Sequence, residues 1–381
     1  MRRLLALVSA VIFLDVAFFA AIAPLLPRYV DELGLSEAQA GMLSASYAAG
    51  TLLAALPSGL VAARAGPRRT VIAGLLLLGA ASAVFGAAQR IELLDATRFC
   101  QGIAGAMVWA GAMSWLIGAA PEERRGTVIG TALGTAVAGA LLGPAIGSLA
   151  ATVGTGPVFG SIMAVAAGLA WLASRLPDAA VEEARGLGEI AATLAGRPLR
   201  DATAFVAVPS LMYGAIEVLL PLRIDALGGG HAVIAAGFIA GAALEATLAP
   251  ISGRVADRVG ARPPYVGGLA VCLVGLVAVA LVATLPAVLA ALVVISVGAG
   301  VCFTPALTRL SEAAEAGALH QGLAAGLSNV AWAAGQVVGG VAGGAVAGLG
   351  GYAAPTLGIA ALLALTIAYA LRALPPRPVP T

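Results

Sequence analysis

The sequence predicts an all-α membrane protein of twelve transmembrane helices in two pseudo-symmetric halves of six. Three observations predict it: a composition too apolar for a water-facing surface, a regular succession of long apolar runs, and an internal repeat. Of 381 residues, 60% are hydrophobic and 10% charged, with a mean hydropathy of +1.00. A soluble domain of that length cannot cover its surface with so few charges. The basic residues, 21 in number, are all Arg and fall in short clusters between apolar runs. That pattern offers no basic face for nucleic acid.

An apolar run of about 20 residues crosses the hydrocarbon core as a helix. Twelve such runs lie at 4–26, 38–62, 70–88, 93–118, 127–150, 157–174, 202–222, 232–252, 264–283, 286–307, 320–348 and 353–372. The first follows "MRR" and ends near "AAIA", as a signal peptide would, but Asp15 interrupts it and many spans follow, so it reads as an uncleaved first helix. With the N-terminus in the cytoplasm, 17 of the 21 Arg residues lie in cytoplasmic segments and three (Arg28, Arg90, Arg223) outside, while Arg98 falls inside span 4. This asymmetry obeys the positive-inside rule and places both termini in the cytoplasm. The most polar segment, 175–201, divides the chain into halves 1–174 and 202–381, and reads as a cytoplasmic linker with room for a short amphipathic surface helix.

Several spans carry residues that oil disfavours. Span 1 holds Asp15, then Pro24 and Pro27. Span 4 holds Arg98, which needs a partner or water unless it snorkels to the nearby outer surface. Span 5 carries Gly139, Gly143 and Gly147 on one smooth face beside Pro144, and Gly-rich span 11 repeats the spacing at Gly335, Gly339 and Gly343. Small-residue stripes of this kind let helices pack closely. Span 7 holds Glu217, close to the outer surface, and span 8 holds Glu245 near its middle. Cys100, Cys272 and Cys302 are far apart in the chain and show no metal-ligand or disulfide spacing. His231 and His320 read as solvated residues near span ends.

The halves repeat at an offset of 194 residues: "LLPRYVDELG" at 25–34 matches "LLPLRIDALG" at 219–228, and "GLVAARAGPRR" at 59–69 matches "GRVADRVGARP" at 253–263. Six spans per half make the repeats parallel, an arrangement that places a substrate site near the midplane. The second loop copy reads G-x-x-x-D-R-x-G-x-R at Gly253, Asp257, Arg258, Gly260 and Arg262; the first has Gly59, Arg64, Gly66 and Arg68, with Ala63 where the acid would stand. These paired loops resemble those of the major facilitator superfamily, where acid and Arg help latch the cytoplasmic ends of the halves. "RFCQG" (Arg98, Gln101, Gly102) is similar to that family's R-x-x-Q-G, and "GALLGPAIGS" around Gly143, Pro144 and Gly147 to its antiporter G-x-x-x-G-P-x-x-G.

The L-D of span 1 with prolines nine and twelve residues on, "AIEVLLP" in span 7 and "SNVAWAAGQVVGGVAGGA" in span 11 resemble the vesicular amine transporters and their bacterial drug–proton antiporter relatives. The resemblance implies that Asp15 and Glu217 face a cavity, and that the prolines bend span 1 near an external gate. Two charged positions of those relatives are neutral here, at Tyr47 and Asn329; their span 10 acid is missing, and Glu245 stands where they carry an aromatic.

A carboxyl group out of water can hold a proton or a cation but not both, and exchange follows from that competition. The expectation is a proton-coupled exporter of amphipathic, cationic drugs or amines, with Asp15 as the main site and Glu245 or Glu217 as a second charge. Tyr47, Trp109, Tyr213, Phe238 and Trp332 are candidate aromatic faces for a cation. Its partners are protons, an organic cation and the bilayer of a bacterial inner membrane; the energy source is the proton gradient, with no cofactor or metal, and a monomer is expected. Alternatives are an exporter of a neutral metabolite such as a sugar or nucleoside, and a non-transporting membrane sensor. The spans hold no Ser/His or metal constellation for an enzyme.

Overall fold

A computed structural model of the chain describes residues 1–121, 125–178, 196–316 and 321–374. Among them are thirteen α-helices and no strand. The first half contains α1 (Arg2–Ala20), α2 (Leu26–Leu33), α3 (Glu37–Ala65), α4 (Pro67–Ala87), α5 (Ile91–Ala119), α6 (Arg125–Val153) and α7 (Thr155–Ser174). The second contains α8 (Arg197–Ala226), α9 (His231–Val259), α10 (Arg262–Leu281), α11 (Leu285–Ala316), α12 (Gln321–Gly350) and α13 (Ala353–Ala373). Taken with α1 and α2 as one span, these give twelve segments long and apolar enough to cross a membrane.

The helices pack as two compact units, Met1–Gly34 with Met42–Gly186, and Leu35–Gly41 with Leu187–Thr381. Within the first, α1 packs on α6, and α4 on α5 and α7; within the second, α8 packs on α12, and α10 on α11 and α13. Span for span, the partners are the same.

The glycine stripes explain the first of these pairings. A Cβ on Gly139 would lie 2.8 Å from the Phe13 carbonyl oxygen, and one on Gly147 2.9 Å from the Ala21 carbonyl carbon, so α6 lays its Gly face on the backbone of α1. A Cβ on Gly335 would likewise lie 2.7 Å from Ser210 Cβ, and one on Gly339 2.8 Å from the Leu211 carbonyl carbon. Without a hydrophobic drive between helices in lipid, such close backbone approach is what holds them.

Two boundaries differ from the sequence expectation. The seventh span begins at Arg197, so 197–201 is helix rather than linker. A short surface helix in the linker falls on 179–195, outside the described residues, as does His320. Span 1 is broken where its prolines stand: α1 ends at Ala20, a 3₁₀ turn covers Ala23–Leu25, and α2 restarts with Pro27 in its first turn. Pro27 has a counterpart in Pro221, which sits inside the unbroken α8. Pro24 has none, Val218 standing at the equivalent place, so the break goes with Pro24 and its missing N–H.

Candidate functional site

In the first unit, α1 brings Asp15 to a fully interior position at 1% exposure. Both carboxylate oxygens are taken. The Tyr47 hydroxyl on α3 donates to Oδ1 at 2.8 Å, and the Trp109 indole N–H on α5 donates to Oδ2 at 3.0 Å. Glycines make this meeting possible. A Cβ on Gly105 would sit 2.8 Å from Asp15 Oδ1 and collide with the Tyr47 hydroxyl, while one on Gly102 would press into the α3 backbone, 2.9 Å from the Thr51 nitrogen. Thr51 ties the same crossing by donating to the Gly102 carbonyl at 3.2 Å.

Arg98, about two turns before Gly105 on α5, is also 1% exposed. It does not snorkel outward. Its guanidinium donates to the Gln101 side-chain oxygen at 3.1 Å and to the Phe18 and Phe19 carbonyls at 3.5 Å, and it stands 5.1 Å over the Tyr47 ring. Gln101 passes the chain on to Ser82 on α4 at 3.1 Å. The two carbonyls belong to the last turn of α1, where the helix dipole favours a cation and where the broken helix leaves acceptors open. Arg98 interacts electrostatically with Asp15, so the unit's buried negative charge has a buried positive one within reach.

The second unit holds a related but less enclosed group. Glu245 on α9 is half-buried, faced by the Tyr213 and Ser296 side chains of α8 and α11. Gly300 of α11 leaves room for it: a Cβ there would lie 2.8 Å from Glu245 Cα. The Tyr213 ring tilts against Phe303 at 5.4 Å. Glu217 is half-buried one turn after Tyr213 on α8, and Asn329 and Trp332 are half-buried on α12. Phe238 packs against the apolar core of this unit. Sequence separation concealed one further pairing: Cys272 and Cys302, both free thiols, flank the α10–α11 crossing and donate to the Ile295 and Ala299 carbonyls. No group of three or more metal-ligating side chains stands together among the described residues.

The loop motifs are built on paired backbone turns. Gly66 (φ +95°) and Gly260 (φ +88°), 194 residues apart, both occupy the left-handed region that only glycine enters freely. Arg64, Asp257 and Arg258 are exposed, and open space surrounds the Cβ position of Gly59. Gly253 approaches only the Thr304 methyl.

A family model described as the Major Facilitator Superfamily matches residues 6–319 and 211–381. The chain belongs to that superfamily. A chloramphenicol resistance protein of Streptomyces lividans is 28% identical over 370 residues, covering 92% of this chain and 91% of that protein. The MFS-type transporter ppzB of Metarhizium majus is 27% identical over 134 residues, 34% of this chain and only 29% of the fungal protein's length. The quinolone resistance protein NorA of Staphylococcus aureus is 26% identical over 114 residues, 30% of this chain and 29% of NorA. The fold is also that of a bacterial homologue of the human lysosomal transporter Spinster, in an inward-facing structure, with TM-score 0.78, 13% identity and coverage of 97% and 96%. The human organic anion transporter MFSD10 superposes with TM-score 0.73 at 16% identity, covering 97% and 99%. Its twelve candidate spans are those of a multi-pass membrane protein of this superfamily, and two of its relatives are drug-resistance proteins by name.

Proposed function

We propose that the chain is a proton-coupled exporter of amphipathic drugs, organic cations foremost, working by alternating access. The observation that carries this reading is the Asp15 cluster: a fully buried carboxylate held by one Tyr and one Trp, with Arg98 in electrostatic reach. Resistance relatives support the drug class, above all the chloramphenicol resistance protein matched over 91% of its length.

The chemistry of the two donors says where a proton goes. A tyrosine hydroxyl donates or accepts; an indole N–H only donates. A proton added at Oδ2 leaves the Trp109 N–H without an acceptor. A proton added at Oδ1 keeps both contacts, because the Tyr47 hydroxyl turns from donor to acceptor. Uptake at Oδ1 also removes the charge that balances Arg98, whose guanidinium keeps its bonds to Gln101 and the α1 carbonyls. An organic cation approaching the ionised cluster adds a positive charge that opposes the same proton. Glu245, with Tyr213 and Ser296, supplies a second carboxyl in the other unit.

The test is transport by purified protein in liposomes carrying a pH gradient, with ethidium and chloramphenicol as probes and Asp15→Asn alongside. Gradient-driven movement by the wild type that disappears in a folded Asp15→Asn is the expected result. Undiminished movement in the mutant removes Asp15 from the coupling step.

A further inference from the structure

The first loop motif lacks its acid, since Ala63 stands where the second copy has Asp257. The structure brings a carboxylate to that turn from elsewhere in the chain. Asp178, four residues beyond the end of α7, accepts the Arg68 backbone N–H at 3.1 Å and pairs with the Arg68 guanidinium at 3.7 Å. Gly66, the residue before α4, has no side chain to cap it. Arg68 is the second residue of α4, so Asp178 accepts the bond that an N-cap side chain would accept. A Cβ on Gly66 would lie 2.9 Å from Asp178 Oδ2, so glycine here supplies both the positive φ and the space for the visiting carboxylate.

Two further bonds fix the same short segment. The Arg68 side chain donates to the Leu176 carbonyl at 3.0 Å, and the indole N–H of the wholly buried Trp115 donates to the Pro177 carbonyl at 3.1 Å. Residues 176–178 are thereby tied to the start of α4 and to the end of α5, the helix that carries Arg98 and Trp109. They belong to the polar segment 175–201 that the sequence reads as a linker.

The geometry points to Asp178 as the acid of the first loop motif, supplied from after the sixth span instead of from position 63. It touches no substrate and acts as a positioning residue, holding the turn between spans 2 and 3, the end of span 4 and the root of the linker as one piece. The sequence states the exchange in a form that can be reversed. Asp257 stands five residues before Arg262, and Ala63 five before Arg68.

The experiment compares the full-length wild type with Asp178→Ala, Asp178→Asn and the double variant Ala63→Asp/Asp178→Ala. Ethidium movement in pH-gradient liposomes and hydrogen–deuterium exchange at 66–70 and 110–119 are read on each. Asp178→Ala is expected to slow ethidium movement and speed exchange at 68–70, each by about fivefold. The double variant is expected to recover both, which a general packing defect would not. Asp178→Asn keeps an oxygen for the backbone N–H and removes only the charge. It is expected to exchange nearly as the wild type yet transport more slowly, and it serves if the alanine variant fails to fold. Wild-type transport by Asp178→Asn, or a double variant no better than Asp178→Ala, overturns the assignment. Exchange needs no substrate, so immobile ethidium in the wild type counts against the exporter reading alone, and recovery of exchange in the double variant then decides this one.

Discussion

The smallest residue at the site is the one with least freedom to change. Gly105 lies over the Asp15–Tyr47 hydrogen bond, where an added methyl would come within 2.8 Å of Asp15 Oδ1 and strike the Tyr47 hydroxyl. Neither neighbour can retreat easily, because Trp109 holds Asp15 from the other side and Arg98 stacks on the Tyr47 ring. Gly105→Ala is therefore expected to destabilise the fold by about 2 kcal/mol through overpacking and, on the proposed mechanism, to slow gradient-driven efflux by about tenfold or more by displacing the oxygen proposed to take the proton. Thermal unfolding and liposome transport on one preparation check both halves of that expectation. Asp15 and Arg98 were legible in the sequence because a charge inside a long apolar run is conspicuous. What they touch was not. Tyr47 and Trp109 lie 32 and 94 residues from Asp15 in the chain, and the sequence suggested their rings as surfaces for a cation, whereas the structure presents their O–H and N–H to a carboxylate. Which end of an aromatic side chain meets a charge depends on how three helices are rotated against one another, and hydropathy does not record rotation. Gly105 passed unnoticed for the same reason: it belongs to no loop turn and no regular stripe.

Among the helices, the contrast between the two first spans isolates what one proline does. The sequence repeat aligns Pro27 with Pro221, and α8 runs through Pro221 without interruption. The break between α1 and α2 therefore belongs to Pro24, whose nitrogen can donate to no carbonyl of the preceding turn. Pro24→Ala restores that donor. The expected outcome is a higher melting temperature, with the break closing toward a continuous span, and slower efflux if the bend at this end serves as a gate. Circular dichroism melting and the liposome assay read the two effects separately; an unchanged transport rate with a raised melting point would make the break purely structural. The bend was legible, since two prolines in an apolar run forecast it, but the difference between the halves was not, because Pro221 alone gives the same local forecast. The left-handed glycines extend the comparison. Gly34 and Gly228, like Gly66 and Gly260, are 194 residues apart and share a positive φ, so the repeat reaches down to single backbone turns. The glycine stripes of α6 and α12 both press on a helix backbone, and the sequence forecast both as packing faces.

For the whole molecule, the expected orientation rests on charge rather than on packing, and the few exceptions to the charge rule have local employment. Of the three Arg residues that the sequence places outside, Arg28 donates to the Ala150 and Ala151 carbonyls at the end of α6, and Arg223 to the Val282 carbonyl at the end of α10. Each thus satisfies open acceptors at a helix C-terminus, where the dipole favours a cation. Arg90 is exposed and pairs only with its neighbour Glu92 among the described contacts. Arginines employed as helix caps on the face that the sequence predicts to lie outside do not weaken an asymmetry of 17 against three. That asymmetry, the twelve apolar runs and the repeat were sufficient to forecast the fold, since each rests on lipid excluding charge and unpaired backbone over a fixed thickness. Sidedness is then open to direct measurement. In a variant with Cys100, Cys272 and Cys302 replaced by Ser or Ala, a single cysteine is introduced at position 90 or at the exposed position 254. A membrane-impermeant maleimide added to intact cells is expected to label position 90 at once and position 254 only after the membrane is opened. The reverse order would put the Arg-rich loops outside and the termini with them. It would also turn the proton gradient around relative to Asp15, so that the same cluster would drive uptake where export is proposed.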